Sequence, residues 1–558
     1  MNQITPHLFH NNTRINMRRN ILLLSFLILN STLLVAQNVT LQAEFEKNEG
    51  LMLKWNYSEN IDSTVARIAA LISADDKVWL LYDPANSVTL ESIQSQLTSY
   101  GANIPNIIFT EGIAETPWLR DFGPIAGYNQ NENGYLRHFV DSQYNPALYP
   151  MADFIPLILA SGLNFNYEAM PINFEGGNLS LDGIGRGFVS DRVLTENPGM
   201  NTSQIIQTLY TKLSLNEIII LPSIPDCGGG NWSELSRLVK FTDPETVLVS
   251  EFPQSTPYYQ QIEMIADTLS RTYNDVGKLL RVVRLPVAPG ANGEFATSGS
   301  DEIRSYTSSI LFNEKILIPS YNDPYDEVAL EIYKEIFHGY QVYQIPSQAI
   351  SALQGSLYRL AVNIPQEKFF RIRHSKYTLQ QPYESELWIN TFVQSPDPID
   401  SIQLFYRIHP STSWEVMNTY GCCGGNSGFL SGYNINDTIS YYLQAYGGDH
   451  IQTLPLGAPQ SSFTFWFDLF TGKPNYTEEN KIQVYPNPAN SYVNIRGMYL
   501  KNEAATFQIL NSNGSCIHSG EMKNSEKILL PTDLANGFYM IKITTTGKTH
   551  FCKLYLQR

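Results

Sequence analysis

The stretch "ETPWLRDFGPI" (115–125) sets an acid, Asp121, within three residues of a rigid aromatic, Trp118, and a proline, Pro124. A carboxylate beside an aromatic face suits one half of a clamp for a planar cation, because it accepts charge-assisted hydrogen bonds while the ring stacks. An isolated aspartate in such a place is also a common turn or capping acid. The other candidate for chemistry is Cys227, the only cysteine between residues 39 and 372. It reads either as a nucleophile or as a buried, inert thiol. Two short motifs lead nowhere. "DFG" (121–123) lacks the catalytic loop and lysine of a kinase, and "CGGGN" (227–231) lacks the GK[ST] ending of a phosphate loop. The nine histidines and five cysteines show no zinc-site spacing and no EF-hand loop is present, so no metal and no cofactor is expected.

The elements that must hold these residues are mixed. From about 39 to 372, apolar strand-like runs such as "VWLLY" (78–82), "EIIILP" (217–222), "TVLVSEF" (246–252) and "KILIPSY" (315–321) alternate with helical stretches at 256–273 and 326–337. That alternation predicts an α/β domain. Around residue 375 the pattern changes to period-two strands without helices, as in "SIQLFYRIHP" and "TISYYLQAYGG", predicting a β-sandwich over 375–468. A polar, proline-containing linker at 471–480 leads to a second all-β unit over 481–558.

Composition narrows the functional classes. The 558-residue chain is 43% hydrophobic, 12% aromatic and 16% charged, which supplies several cores and argues against disorder. Its net charge of -16 opposes nucleic-acid binding and suits a cationic ligand or partner. The first 36 residues read as an export region. From Met17 a basic start (Arg18, Arg19) precedes a short apolar run broken by Asn30, Ser31 and Thr32, with a small-residue site ending at Ala36. No later segment is long and apolar enough for a membrane-spanning helix, so none is expected in the mature form. The odd cysteine count leaves at least one thiol unpaired or bridged between chains, while Cys516 and Cys552 are close enough in sequence to bridge one another.

Two resemblances sharpen this. "VYPNPA" (484–489), "LANGFYMIKI" (534–543) and "GKTHFCKLYL" (547–556) resemble the C-terminal sorting domain of the type IX secretion system. With the export region, that implies passage through the periplasm of a Gram-negative bacterium, engagement of the type IX machinery, and release or display at the cell surface. Upstream, "LQAEFEKNEGLMLKW" (41–55), "WLRDFGP" (118–124), "NFEGGNLSLDG" (173–183) and "YNDPYDEVALEIYKEIFHGYQVYQI" (321–345) resemble the bacterial peptidylarginine deiminase and agmatine deiminase family. The resemblance implies a pentein-like α/β fold, a five-bladed propeller of ββαβ units with the site on the pseudo-fivefold axis. An immunoglobulin-like sandwich and the sorting domain follow it. It also implies a cofactor-free C–N hydrolase acting on linear amidines. Two carboxylates grip a guanidinium, a cysteine thiolate attacks its central carbon, and a histidine moves protons, leaving a ureido group and ammonia.

Carried over residue by residue, the family pattern is only partly present. Asp121 is retained, as are Glu175, Gly176, Gly177, Asn178 and Asp182; with Trp118 these are the expected substrate-binding residues. In "GGNWSELSRLVKF" Asn231 stands at the histidine position and Ser233 at the second aspartate. In "GSLYRLAVNIP" Tyr358 replaces a histidine and Arg359 stands where the cysteine belongs, while Ser308 replaces an asparagine. Asn and Ser cannot titrate near neutral pH, and Arg stays protonated and is no nucleophile. The guanidinium of Arg359 would repel a cationic ligand, or itself fill the clamp by donating to Asp121. The expectation is a degenerate site in a non-catalytic surface protein that retains at most a guanidine-type ligand or arginine-containing peptide. The alternatives are a hydrolase using Asp121 with Cys227 as a relocated nucleophile, and a plain adhesin or scaffold.

Overall fold

The computed structural model describes residues 38–131, 134–145, 147–224, 234–298, 301–422 and 425–468, and in the C-terminal segment 483–485, 489–496, 504–511, 516–523, 527–532, 534–544 and 549–556. The expected export region, the linker, and three candidate site residues, Cys227, Asn231 and Ser233, lie outside the described residues.

Between Asn38 and Pro365 the described residues build five small sheets. One motif recurs: an antiparallel pair of strands, a helix, then a strand parallel to the second member of the pair. Val239–Asp243 pairs antiparallel with Thr246–Glu251, helix Tyr259–Ser270 crosses over, and Arg281–Ala288 returns parallel to Thr246–Glu251. Ile310–Phe312, Lys315–Ser320, helix Tyr325–Ile336 and Gln341–Pro346 repeat it. So do Leu179–Leu181, Arg186–Ser190, helix Thr202–Leu213 and Glu217–Leu221. In one sheet the two ends of this region meet, because Ala361–Pro365 pairs antiparallel with Asn48–Lys54, which runs parallel to Lys77–Tyr82. That pairing ties residue 361 to residue 53 and closes the region on itself.

The physical reason for the repeat is visible in the strands. "KILIPS" is buried along nearly its whole length, the pattern of a parallel strand covered by helices. Helix Tyr325–Ile336 buries Ala329 and Tyr333, four residues apart on its inner face, against the sheet. Helix Tyr259–Ser270 starts later than the apolar spacing suggests, since the preceding segment folds into a turn in which Thr256 donates to the Pro253 carbonyl.

The change of architecture falls between Pro365 and Arg371, slightly earlier than the sequence pattern places it. Arg371–His374 already pairs with Glu386–Gln394 in a four-stranded sheet, which faces a second, six-stranded sheet across one core containing Ile389, Leu404, Tyr441 and Phe465. This all-β part belongs to the same compact unit as the α/β region. The chain from Leu469 onward forms a separate unit. There a three-stranded and a four-stranded sheet enclose a core that includes Val493, Ile509 and Leu554. Its Cys516 is an exposed free thiol, so the bridge to Cys552 anticipated from sequence is not formed.

Candidate functional site

Each site residue sits in the short turn that feeds the first strand of a repeat. Asp121 lies in the single helical turn Leu119–Phe122, ahead of strand Ile125–Asn131. Glu175 precedes the 3-10 turn Gly176–Asn178 and strand Leu179–Leu181. Glu234 precedes the 3-10 turn Leu235–Arg237 and strand Val239–Asp243. Ser308 leads into Ile310–Phe312, and Arg359 lies in the 3-10 turn Tyr358–Leu360 ahead of Ala361–Pro365. Turns that each lead into a strand of the α/β region thus bring Asp121, Glu175, Glu234 and Arg359 into one cluster.

At its centre Arg359 and Asp121 are both completely shielded from solvent. The Arg359 Nε donates to Asp121 Oδ1 at 2.9 Å and to Oδ2 at 3.1 Å, and its Nη2 also donates to Oδ2. Nη1 donates to the Gln354 carbonyl at 3.2 Å. The guanidinium carbon stands 4.9 Å from the centre of the Trp118 ring. Gly355 makes this stacking possible, since a Cβ there would lie 1.9 Å from the indole. The Arg359 side chain therefore has what a planar cation requires: a carboxylate fork, a carbonyl acceptor and an aromatic face.

A second carboxylate beside Arg359 is that of Glu234, next in sequence to Ser233, which lies outside the described residues. Its Oε2 lies 3.5 Å from Arg359 Nε and 3.8 Å from Arg237 Nε, and Oε1 accepts from the Ser236 hydroxyl at 2.6 Å. Glu234 is 1% exposed. It reaches inward over Gly177, where a Cβ would fall 1.8 Å from Oε1.

Around this pair lies a ring of charge. Glu175 meets Arg192, with Nη2 donating to Oε1 at 3.2 Å and Nη1 3.1 Å from Oε2, and Arg192 also pairs with Glu196. Arg237, 1% exposed, donates to the same Gln354 carbonyl as Arg359. Burial pushes the Asp121 carboxyl up, to about 7, with Arg359 opposing the shift. Burial likewise raises Glu175 and Glu196, against the pull of Arg192. Burial lowers Arg237 to about 10. For Arg359, burial acts downward but is outweighed by Asp121 and Glu234, which hold its guanidinium protonated.

Tyr358, which replaces the histidine next to the cysteine position, is buried beside two cations: Arg120 lies over its ring at 4.2 Å and Lys240 at 3.6 Å. Burial raises the phenol well above its ordinary value, so it neither gives nor takes a proton near neutral pH. The Ser308 carbonyl accepts from the Tyr358 amide at 3.1 Å, while its buried hydroxyl has no hydrogen-bond partner among the described residues. Asn178 serves the scaffold, its Oδ1 accepting from the Leu235 amide at 3.1 Å and the Ser190 hydroxyl at 3.2 Å.

Asp182 does not join the cluster, contrary to the sequence expectation. It sits at the far end of strand Leu179–Leu181 from Glu175. Its Oδ1 accepts from the amides of Ile184 at 3.0 Å and Arg186 at 3.1 Å, and Oδ2 pairs with the Arg186 side chain. Its oxygens are spent on the hairpin turn.

A family model of Porphyromonas-type peptidyl-arginine deiminases matches residues 40–365, more than half of the chain. The chain belongs to that family. A secretion-system C-terminal sorting domain matches residues 483–557, so this family member is secreted or displayed at the cell surface. Among the described residues no helix is long and apolar enough to cross a membrane. The agmatine deiminase of Pseudomonas syringae pv. tomato is 24% identical over 292 residues, covering 47% of this chain and 78% of that protein. The fold is similar to that of the agmatine deiminase of Enterococcus faecalis, with a TM-score of 0.51, 18% identity, and coverage of 59% of this chain and 96% of that one. It is also similar to a substrate-bound C. jejuni agmatine deiminase, with a TM-score of 0.50 and 18% identity over 59% of this chain and 97% of the other.

Proposed function

We propose that this family member is a non-catalytic surface protein whose guanidinium site is filled by its own Arg359. The observation that carries the reading is the wholly buried contact between Arg359 and Asp121 over Trp118. In this reading Asp121 and Glu234 are the two carboxylates of the clamp. Glu175 and Asn178 frame it, and the five repeats form a closed propeller with the clamp on its axis. The all-β part after residue 370 is an immunoglobulin-like module, and residues before 37 are a cleaved signal peptide.

Guanidine hydrolysis needs three things that these side chains do not supply. Arginine at position 359 has no lone pair available for attack on carbon. Asn231, at the position of the proton-shuttling histidine, cannot titrate near neutral pH, and the phenol of Tyr358, beside Arg120 and Lys240, does not shuttle protons there either. A free guanidinium would also have to displace a tethered one that already holds Asp121 on both oxygens. Purified protein is therefore expected to release neither ammonia nor a ureido product from arginine, agmatine or a peptide with C-terminal arginine. Turnover that is abolished by Cys227→Ser would overturn the proposal in favour of a hydrolase with a relocated nucleophile.

A further inference from the structure

The α/β region and the following sheets enclose a cleft of about 1350 Å³ that lies away from the Asp121 cluster and shares none of its residues. We propose that this cleft binds a neutral oligosaccharide chain. It is larger than the usual small-molecule pocket, which suits an oligomer better than a single metabolite, and it lies between two domains, a common place for ligands.

One wall is the outer face of the sheet containing Glu386–Gln394. Alternation along that strand buries Leu387, Ile389 and Thr391 in the core and turns Trp388, Asn390 and Phe392 into the cleft. Trp388 is 54% and Phe392 49% exposed, unusual for rings of that size on one strand. They are four residues apart, about 13 Å along an extended strand. Between them stands the Asn390 amide, whose Oδ1 accepts from the Ser427 hydroxyl at 2.7 Å on the neighbouring strand. Flat apolar rings separated by amide and hydroxyl groups match the alternating C–H faces and hydroxyl edges of linked sugar rings.

Charge argues for a neutral ligand. The basic side chains of the walls are each matched by an acid: Arg371 by Glu46, Arg373 by Asp275 and Lys376 by Asp243. Arg281 lies 3.1 Å from Glu335, and Lys278 lies 3.8 Å from Glu245. An anionic chain would find no uncommitted cation among these. The backbone argues against an extended peptide added as a strand. Glu386–Thr391 pairs with Gly425–Ser431 and Thr391–Gln394 with Arg371–His374, so an added strand could pair only along Glu386–Asn390 and would stop short of Phe392.

The test is affinity electrophoresis of the full secreted chain through gels containing neutral galactomannan, xyloglucan or dextran, with anionic polygalacturonate as a further arm. Retardation by at least one neutral polymer, unchanged by salt, is expected. Trp388→Ala and Phe392→Ala should each weaken it by about tenfold, and the double variant should abolish it with no change in unfolding temperature. If Trp388→Ala lowers that temperature, Phe392→Ser is read in its place. Absence of retardation by all three neutral polymers, retardation by polygalacturonate alone, or retardation retained by the double variant would overturn the proposal.

Discussion

The Arg359 Nε hydrogen-bonds both carboxylate oxygens of Asp121, at 2.9 and 3.1 Å, with neither side chain exposed to solvent. These residues are 238 positions apart in sequence, so the contact links the last turn of the α/β region to one near its beginning. In the proposed reading it is a structural bond made from a former nucleophile position and a substrate-binding acid.

Removing one partner of a buried pair strands the other, which typically costs about 3–5 kcal/mol. Arg359→Ala leaves Asp121 and Glu234 without their shared cation and should lower stability by about that amount. Asp121→Asn should cost less than Arg359→Ala, because Glu234 still faces the guanidinium at 3.5 Å. Chemical denaturation of the two single variants and the double variant checks this. The double variant should be less destabilised than the sum of the singles.

Gly177→Ala should cost about 2–4 kcal/mol, since the new methyl group would meet the Glu234 carboxylate, itself fixed by Ser236. Combining it with Glu234→Ala should recover part of the loss, although that change also removes an acid from beside Arg359 and Arg237. Urea midpoints of the pair of variants measure the recovery.

Stability should also depend on Asp141, outside the site. Burial raises its carboxyl to about 7, while a hydrogen bond from the Tyr167 hydroxyl at 2.6 Å pulls the other way. A carboxyl whose folded value exceeds its unfolded value of about 4 adds stability that is complete below pH 4 and is lost as pH rises through 7. Asp141→Asn keeps the acceptor but cannot titrate. Relative to the variant, the parent should therefore lose on the order of 2 kcal/mol between pH 4 and pH 8. Thermal unfolding across that range, read as the difference between the two proteins, checks the sign.

The strands of the α/β region were legible because buried parallel strands are continuous apolar runs, as in Thr246–Glu251 and Lys315–Ser320. The contact between Asp121 and Arg359 was legible because an acid flanked by Trp118 and Pro124 suits a planar cation, and Arg359 supplies one. Glu234 was not. Its side chain reaches the neighbourhood of Arg359 through the room above Gly177, which no sequence spacing announces. Asp182 is the opposite case: the motif carries an acid there, but the tight hairpin after it already uses both oxygens.

The central claim is that the Arg359 guanidinium occupies the place of a bound guanidine, and agmatine binding to Arg359→Ala tests it most directly. Calorimetry and thermal shift should show no binding to the parent protein, stabilisation of Arg359→Ala by agmatine, and loss of that stabilisation when Asp121→Asn is added. Agmatine binding to the parent, or a folded Arg359→Ala protein that agmatine fails to stabilise, would contradict it.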